Sequence, residues 1–147
     1  MSRARILVID DKENMLKLFA KILGDEYELT TAADGGRALL LVEKQDFDVV
    51  VTDVKMPGAG GLEVLKAVKR RQPDTEVVMM TAYASVGDAV AAMKLGAYDY
   101  LQKPFDPDAA VLTVARALER KRLKEQATSL RRELQTHHCF QNIVGKS

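Results

Sequence analysis

Five short apolar segments alternate with helix-like segments along most of this chain. The apolar segments read RILVID, YELTTA, DVVVTD, EVVMMT and YDYLQK. Between them, apolar residues recur at intervals of three and four, which is the spacing of one helix face. The first, third and fourth segments are almost continuously apolar, as expected for strands that helices cover on both faces. The pattern predicts a doubly wound α/β domain with a five-stranded parallel sheet and right-handed crossovers.

Composition narrows the class of protein further. The chain has 147 residues, of which 47% are hydrophobic and 29% are charged, a balance typical of a globular domain with a substantial core. No apolar run approaches the length of a membrane-spanning helix, so no membrane partner is expected. Cys139 is the only cysteine, which excludes an internal disulfide and favours a reducing cytoplasm as the setting.

Polar side chains stand where four of the five predicted strands end. Asp10 and Asp11 follow the first strand, Asp53 ends the third, Thr81 ends the fourth and Lys103 follows the fifth. Open parallel sheets form their sites at the carboxyl ends of the strands. The sequence therefore predicts that three carboxylates, a hydroxyl and an ammonium converge at one edge of the sheet.

This set of groups suits phosphoryl transfer. Crowded carboxylates resist ionisation unless a cation compensates them, and Mg²⁺ binds one or two carboxylates together with waters and phosphate oxygens. Asp10 and Asp11 suit the metal, whereas Asp53 is placed as a nucleophile that needs no general base. Lys103 would neutralise charge on the phosphoryl group, and the Thr81 hydroxyl would help to position it.

Each of these residues, taken singly, also has an ordinary interpretation. An aspartate after a strand is most often a helix cap or a turn residue. The agreement of four strand ends favours a functional site over that interpretation. Three further aspartates are expected to be ordinary caps or turn residues: Asp34, Asp74 and Asp106.

Four motifs, ILVIDD, VVVTDVKMPG, VVMMTAY and YDYLQKPF, resemble the receiver domain of bacterial two-component response regulators in their order and spacing. The resemblance runs from residue 4 to about residue 120 and implies a flavodoxin-like strand order of 2-1-3-4-5. It implies that a sensor histidine kinase phosphorylates Asp53. It also implies a Mg²⁺ site formed by Asp10, Asp11, Asp53 and the backbone carbonyl of Lys55.

The same resemblance assigns the switch residues. Thr81 and Lys103 would bind the phosphoryl group, and Tyr100 would turn inward when Thr81 moves. The family commonly has a cis peptide bond before the proline that corresponds to Pro104. Phosphorylation would act through the fourth helix, the fifth strand and the fifth helix. The resemblance also implies a signalling domain rather than an enzyme, with self-catalysed phosphotransfer and slow autodephosphorylation only.

The chain is predicted to divide into a receiver domain at residues 1–120, a helical linker at 121–138 and the start of a truncated effector domain at 139–147. One long helix is allowed because no glycine occurs between residues 106 and 135. Four of its residues are expected to pack back on the receiver domain: Val111, Val114, Ala115 and Leu118. A seam with 4-3-4 spacing predicts a short coiled coil that joins two copies of the chain. The seam residues are Leu123, Ala127, Leu130 and Leu134.

Charge is distributed unevenly along the chain. Residues 1–115 carry 14 basic and 18 acidic side chains, whereas residues 116–133 carry seven basic and three acidic ones. The basic segment has neither a helix-turn-helix pattern nor stacking aromatics, so we expect a solvated helix surface rather than direct nucleic-acid binding.

Two motifs close the chain. FQNIVGKS resembles the opening of the AAA+ domain of NtrC-type activators of sigma-54 RNA polymerase, which implies an effector in cis that controls transcription. The adjacent residues His137, His138 and Cys139 are of metal-binding types, but neighbours in sequence do not converge as ligands at i and i+4 do. No metal site is expected there.

Two other classes of function stay open. A phosphohydrolase of the haloacid dehalogenase type would also use an aspartate nucleophile, but it usually places a second acid two residues later, where this chain has Lys55. A stand-alone or pseudo-receiver would bind partners without phosphate. The presence of all five polar residues at the strand ends argues against that class: Asp10, Asp11, Asp53, Thr81 and Lys103.

Overall fold

The computed structural model describes residues 3–56, 58–82 and 86–145 and contains the predicted alternation of strands and helices. Each of the five predicted strands is present, and each is followed by a helix. The strands are β1 (Arg5–Ile9), β2 (Glu28–Ala32), β3 (Val49–Asp53), β4 (Glu76–Thr81) and β5 (Asp99–Gln102), and the helices are α1 (Glu13–Leu23), α2 (Gly35–Lys44), α3 (Gly61–Arg71), α4 (Val86–Lys94) and α5 (Pro107–Gly145).

The five strands form one parallel sheet in the order β2-β1-β3-β4-β5. This order confirms the predicted fold class. The strand β3 lies at the centre, where Asp53 is level with Met80 of β4 and Thr52 is level with Ile9 of β1. The carboxyl ends of β1, β3 and β4 are therefore neighbours, which brings the residues that follow them together.

Hydrophobic cores lie on both faces of the sheet. Alternate residues of one strand enter different cores: Leu7 and Ile9 of β1 face α2, α3 and α4, whereas Ile6 and Val8 face α1 and α5. This arrangement explains why β1, β3 and β4 lack the polar alternation of a half-exposed strand. No helix in the described ranges is both long enough and apolar enough to cross a membrane.

The helix α5 packs on the sheet through its first three turns and then continues to Gly145. The predicted packing of Val114 and Leu118 is confirmed, and Val111 is partly buried against the same core. The prediction was wrong for Ala115, which is exposed. Each helical residue turns the chain by about 100°, so the residue after Val114 leaves the contact face. The residues that complete this face are Ala110 and Ala117, which are fully buried.

The predicted linker lies entirely within α5. Of its seam residues, Leu123, Leu130 and Leu134 are 57%, 58% and 66% exposed, and Ala127 is also exposed. The boundaries after residues 120 and 138 stay predictions. No metal site was predicted at residues 137–139, and their side chains lie outside the described residues.

The start of α2 packs tightly against the loop that follows β3. A Cβ atom on Gly35 would lie 1.9 Å from the carbonyl oxygen of Ala59, whereas one on Gly36 would meet only the Asp34 carboxylate at 3.4 Å. We expect Gly35→Ala to lower the free energy of unfolding by about 1–3 kcal/mol through overpacking. Gly36→Ala should be neutral or stabilising by up to about 1 kcal/mol. Urea unfolding checks both variants, and equal losses would contradict the packing described here.

Candidate functional site

Three carboxylates meet at the carboxyl edge of the sheet. Asp53 is the last residue of β3, and Asp10 and Asp11 follow β1 directly. One oxygen atom from each lies within 4.8 Å of the others. Asp10 is fully buried and Asp53 is 7% exposed, whereas Asp11 is exposed to solvent. The structure thus brings together the three acids that the sequence predicted, with one of them open to an approaching group.

The ammonium of Lys103 lies between two of these acids. Its Nζ atom is 2.6 Å from Asp10 Oδ2 and 3.0 Å from Asp53 Oδ2. Burial by itself lowers the pKa of Lys103, but the hydrogen bonds to Asp10 and Asp53 outweigh burial, so the pKa lies above its ordinary value. The side chain is therefore a fixed positive charge in this site. The peptide bond between Lys103 and Pro104 is cis, as the resemblance implied.

Backbone groups hold the two buried carboxylates in place. The Lys12 N–H donates to Asp10 Oδ1 at 2.9 Å, and the Lys55 N–H donates to Asp53 Oδ1 at 3.3 Å. These bonds leave each carboxylate further lone pairs, since one carboxylate has about four acceptor positions. The role of the Lys55 carbonyl as a metal ligand stays a prediction.

Thr81 and Tyr100 lie close together at the same edge. Thr81 ends β4 and is buried, and the hydroxyl oxygen of Tyr100 is shielded from solvent. Burial raises the pKa of Tyr100; the Thr81 side chain partly offsets this rise, whereas the carboxylates of Asp88 and Asp53 add to it. The hydroxyl of Tyr100 is therefore on the inner side of the site, and its movement with Thr81 stays a prediction.

The donor set fits a hard divalent cation. Three carboxylates and one ammonium leave two negative charges uncompensated within the cluster, and all the ligand atoms are oxygens. Mg²⁺ and Ca²⁺ prefer oxygen ligands, and Mg²⁺ commonly binds through one or two carboxylates while keeping several waters. The exposed Asp11 would leave one side of such an ion open to water.

All three aspartates that were predicted to be capping or turn residues behave as expected, and Asp74 lies in the turn before β4. The Asp34 side chain accepts a hydrogen bond from the Arg37 N–H at the start of α2. The Asp106 side chain accepts one from the Asp108 N–H, next to the start of α5. None of the three belongs to the carboxylate cluster of Asp10, Asp11 and Asp53.

One group of charged residues was missed by the sequence reasoning. Glu76 is the first residue of β4 and is buried at the opposite edge of the sheet, where Lys69 of α3 and Lys124 of α5 contact it. Two features of the sequence could have indicated this group: an acidic residue at the start of an apolar strand, and a basic segment late in the chain.

Comparisons with known proteins agree with this fold. The family model described as "Response regulator receiver domain" matches residues 6–115. The chain is 37% identical over 145 residues to the nitrogen assimilation regulatory protein NtrX of Azorhizobium caulinodans, and 37% identical over 144 residues to the regulatory protein AtoC of Escherichia coli. Each alignment covers 97% of this chain and 31% of the relative.

A solved structure shows the same fold. The CheY-like receiver domain protein of Methanospirillum hungatei superposes with a TM-score of 0.80 at 30% identity, covering 84% of this chain and 99% of that one. This chain therefore belongs to the response regulator receiver domain family, and its relatives are regulators of the NtrX, NtrC and AtoC type. It spans about a third of the length of those relatives, 31% in each case.

Proposed function

We propose that this chain is a phosphorylation switch in which Asp53 accepts a phosphoryl group from a sensor histidine kinase. The observation that carries the proposal is the cluster itself: three carboxylates within 4.8 Å of one another, with Lys103 bonded to two of them. Asp10, Asp11, Asp53 and the carbonyl of Lys55 would hold Mg²⁺. The ion would supply the charge neutralisation that phosphoryl transfer requires.

The chain's own residues account for the chemical step. An oxygen of Asp53 attacks phosphorus, and a new P–O bond forms as the bond to the imidazole nitrogen of the phosphohistidine breaks. The leaving nitrogen keeps the electron pair. The Lys103 ammonium already lies 3.0 Å from Asp53 Oδ2, where negative charge of the incoming group would be stabilised. The Thr81 hydroxyl would donate to a phosphoryl oxygen.

The product stays bound to the chain, so we propose a signalling domain rather than an enzyme with a released product. Slow autodephosphorylation would end the signal. The exposed Lys55, two residues after Asp53, stands where a phosphohydrolase would place its second acid. That difference favours the switch.

The response to phosphorylation is proposed to run through α4, β5 and α5. Among the α4 side chains that the structure describes, only Ala92 is fully buried, while Val90 and Met93 are 46% and 50% exposed. An element with so little buried area has a low local stability and can shift when Thr81 and Tyr100 rearrange. This face would pair two copies of the chain.

The output is proposed to be control of sigma-54-dependent transcription by an AAA+ domain in cis. Similarity to NtrX and AtoC over 97% of this chain supports that context. The exposed leucines 123, 130 and 134 support a second dimer contact through the linker seam. We propose no direct nucleic-acid contact by this part of the chain.

Incubation with acetyl phosphate tests the proposal directly. Intact-mass analysis should show a single phosphoryl adduct in the presence of Mg²⁺ and none when EDTA removes the ion. Circular dichroism of both samples establishes that the chain is folded. Absence of the adduct from folded, Mg²⁺-loaded protein would contradict the proposal and favour a receiver that binds partners without phosphate.

A further inference from the structure

A second charged cluster lies at the amino-terminal edge of the sheet, opposite Asp53. Its centre is Glu76, whose side chain is 2% exposed. Lys124 Nζ lies 2.5 Å from Glu76 Oε1, Lys69 Nζ lies 3.4 Å from the same oxygen, and Arg120 Nε lies 3.7 Å from Oε2. A buried carboxylate is costly unless cations and hydrogen bonds satisfy it, and two of the three cations here belong to α5.

A neighbouring ion pair joins α5 to the same edge. Asp48 precedes β3, and its Oδ1 atom lies 2.5 Å from Lys121 Nζ while its Oδ2 atom accepts a hydrogen bond from the Arg5 N–H. Lys121 also pairs with Glu125 within the helix and is only 14% exposed. Burial lowers the pKa of Lys121, but its hydrogen bonds to Asp48 and Glu125 outweigh burial, so the side chain stays charged.

These contacts begin where the apolar packing of α5 ends. Leu118 is the last fully buried residue of the helix whose side chain is described, and every side chain from residue 119 to residue 134 is exposed or half-buried. Over that stretch, the described side-chain ion pairs to the sheet are those made by Arg120, Lys121 and Lys124. Apolar burial therefore does not hold this part of the helix.

The two lysine contacts, Lys121 and Lys124, and the linker seam lie on different sides of α5. Lys121 and Lys124 continue the stripe of Ala110, Val114 and Ala117, at a spacing that keeps them on one face. At about 100° per residue, that stripe is separated by about 130° around the helix axis from the seam of Leu123, Ala127, Leu130 and Leu134. Contact with the receiver thus leaves the seam open to solvent and to a second copy of the chain.

We infer that Glu76 and Asp48, with Arg120, Lys121 and Lys124, form an ionic clamp that fixes the start of the linker helix to the receiver. The clamp makes the receiver and the linker turn as one body. It also sets the direction in which the seam faces. The strand β4 carries Thr81 at one end and Glu76 at the other, so the proposed switch and the clamp share one rigid element. The inference goes beyond the proposed function because the clamp exists without a phosphoryl group.

Hydrogen exchange of the unphosphorylated chain tests the clamp. In Lys121→Met/Lys124→Met, amides of residues 119–128 should exchange on the order of 10- to 100-fold faster, the loss expected for hydrogen bonds to charged groups. Lys121→Arg/Lys124→Arg keeps both charges and should restore much of the protection. The matched control is Arg131→Met/Arg132→Met, which removes two exposed charges from the same helix and should leave residues 119–128 unchanged.

The outcomes separate the clamp from general damage. Unchanged exchange of residues 119–128 in the double lysine variant would overturn the inference, as would an equal increase in the arginine control. Exchange in β1, β3 and β4 reports whether the variant is folded. If the double lysine variant is not folded, Asp48→Asn serves instead, because it removes the acidic partner of Lys121. Amides of residues 119–125 should still exchange faster in that variant. Phosphorylation by acetyl phosphate should persist in these variants, so failure of the clamp would leave the proposed function intact.

Discussion

Asp53→Asn should take up no phosphoryl group from acetyl phosphate in the presence of Mg²⁺. An amide oxygen is a far weaker nucleophile than the ionised carboxylate, so the expected effect is complete loss of the adduct in intact-mass analysis. The fold should survive because the Lys103–Asp10 pair, with Nζ and Oδ2 2.6 Å apart, does not depend on Asp53. Removal of one acid from a cluster of three also lowers the repulsion within it.

The matched control is Asp46→Asn, which removes an exposed carboxylate from the loop before β3. It should be phosphorylated like the parent chain. A full adduct on Asp53→Asn, located by peptide mapping on Asp10 or Asp11, would contradict the assignment of the phosphoacceptor while leaving the carboxylate cluster as the site.

Much of the site could be predicted because the sheet is parallel. Once Asp10, Asp53 and Thr81 are assigned to strand ends, the topology places them at one edge whatever the details of packing. The same logic predicted Lys103, although the bonds of its ammonium to two acids at once had to be read from the structure. Buried strands are easy to recognise in a sequence, and their ends are therefore easy to locate.

The clamp could not be predicted in the same way. Lys124 and Glu76 are 48 residues apart, and their contact depends on the rotation of α5 about its axis. Ala115 shows how small an error in that rotation matters. It was predicted on the core face but is exposed to solvent, next to the buried Val114. Apolar periodicity indicates a contact face only to within about one residue, whereas an ion pair requires an atomic distance.

The balance of charge at the carboxylate cluster has a consequence for stability. In the described ion pairs, the cation that contacts Asp10 and Asp53 is Lys103. Its side chain is 10% exposed. Removal of one partner from a buried ion pair leaves an uncompensated charge, which is more damaging than replacement of the whole pair. Lys103 should therefore stabilise the fold as well as the phosphorylated state.

Lys103→Met should lower the free energy of unfolding by about 3–5 kcal/mol in EDTA, the loss typical of a broken buried pair. Added Mg²⁺ should restore part of it, because a ligand that binds only the folded state stabilises that state. Urea unfolding followed by circular dichroism measures both effects. The control is Lys12→Met, which removes an exposed ammonium beside the site and should change stability by no more than about 0.5 kcal/mol. If Lys103→Met were as stable as the parent in EDTA, the two acids would not need this cation, and the electrostatic account of the site would be wrong.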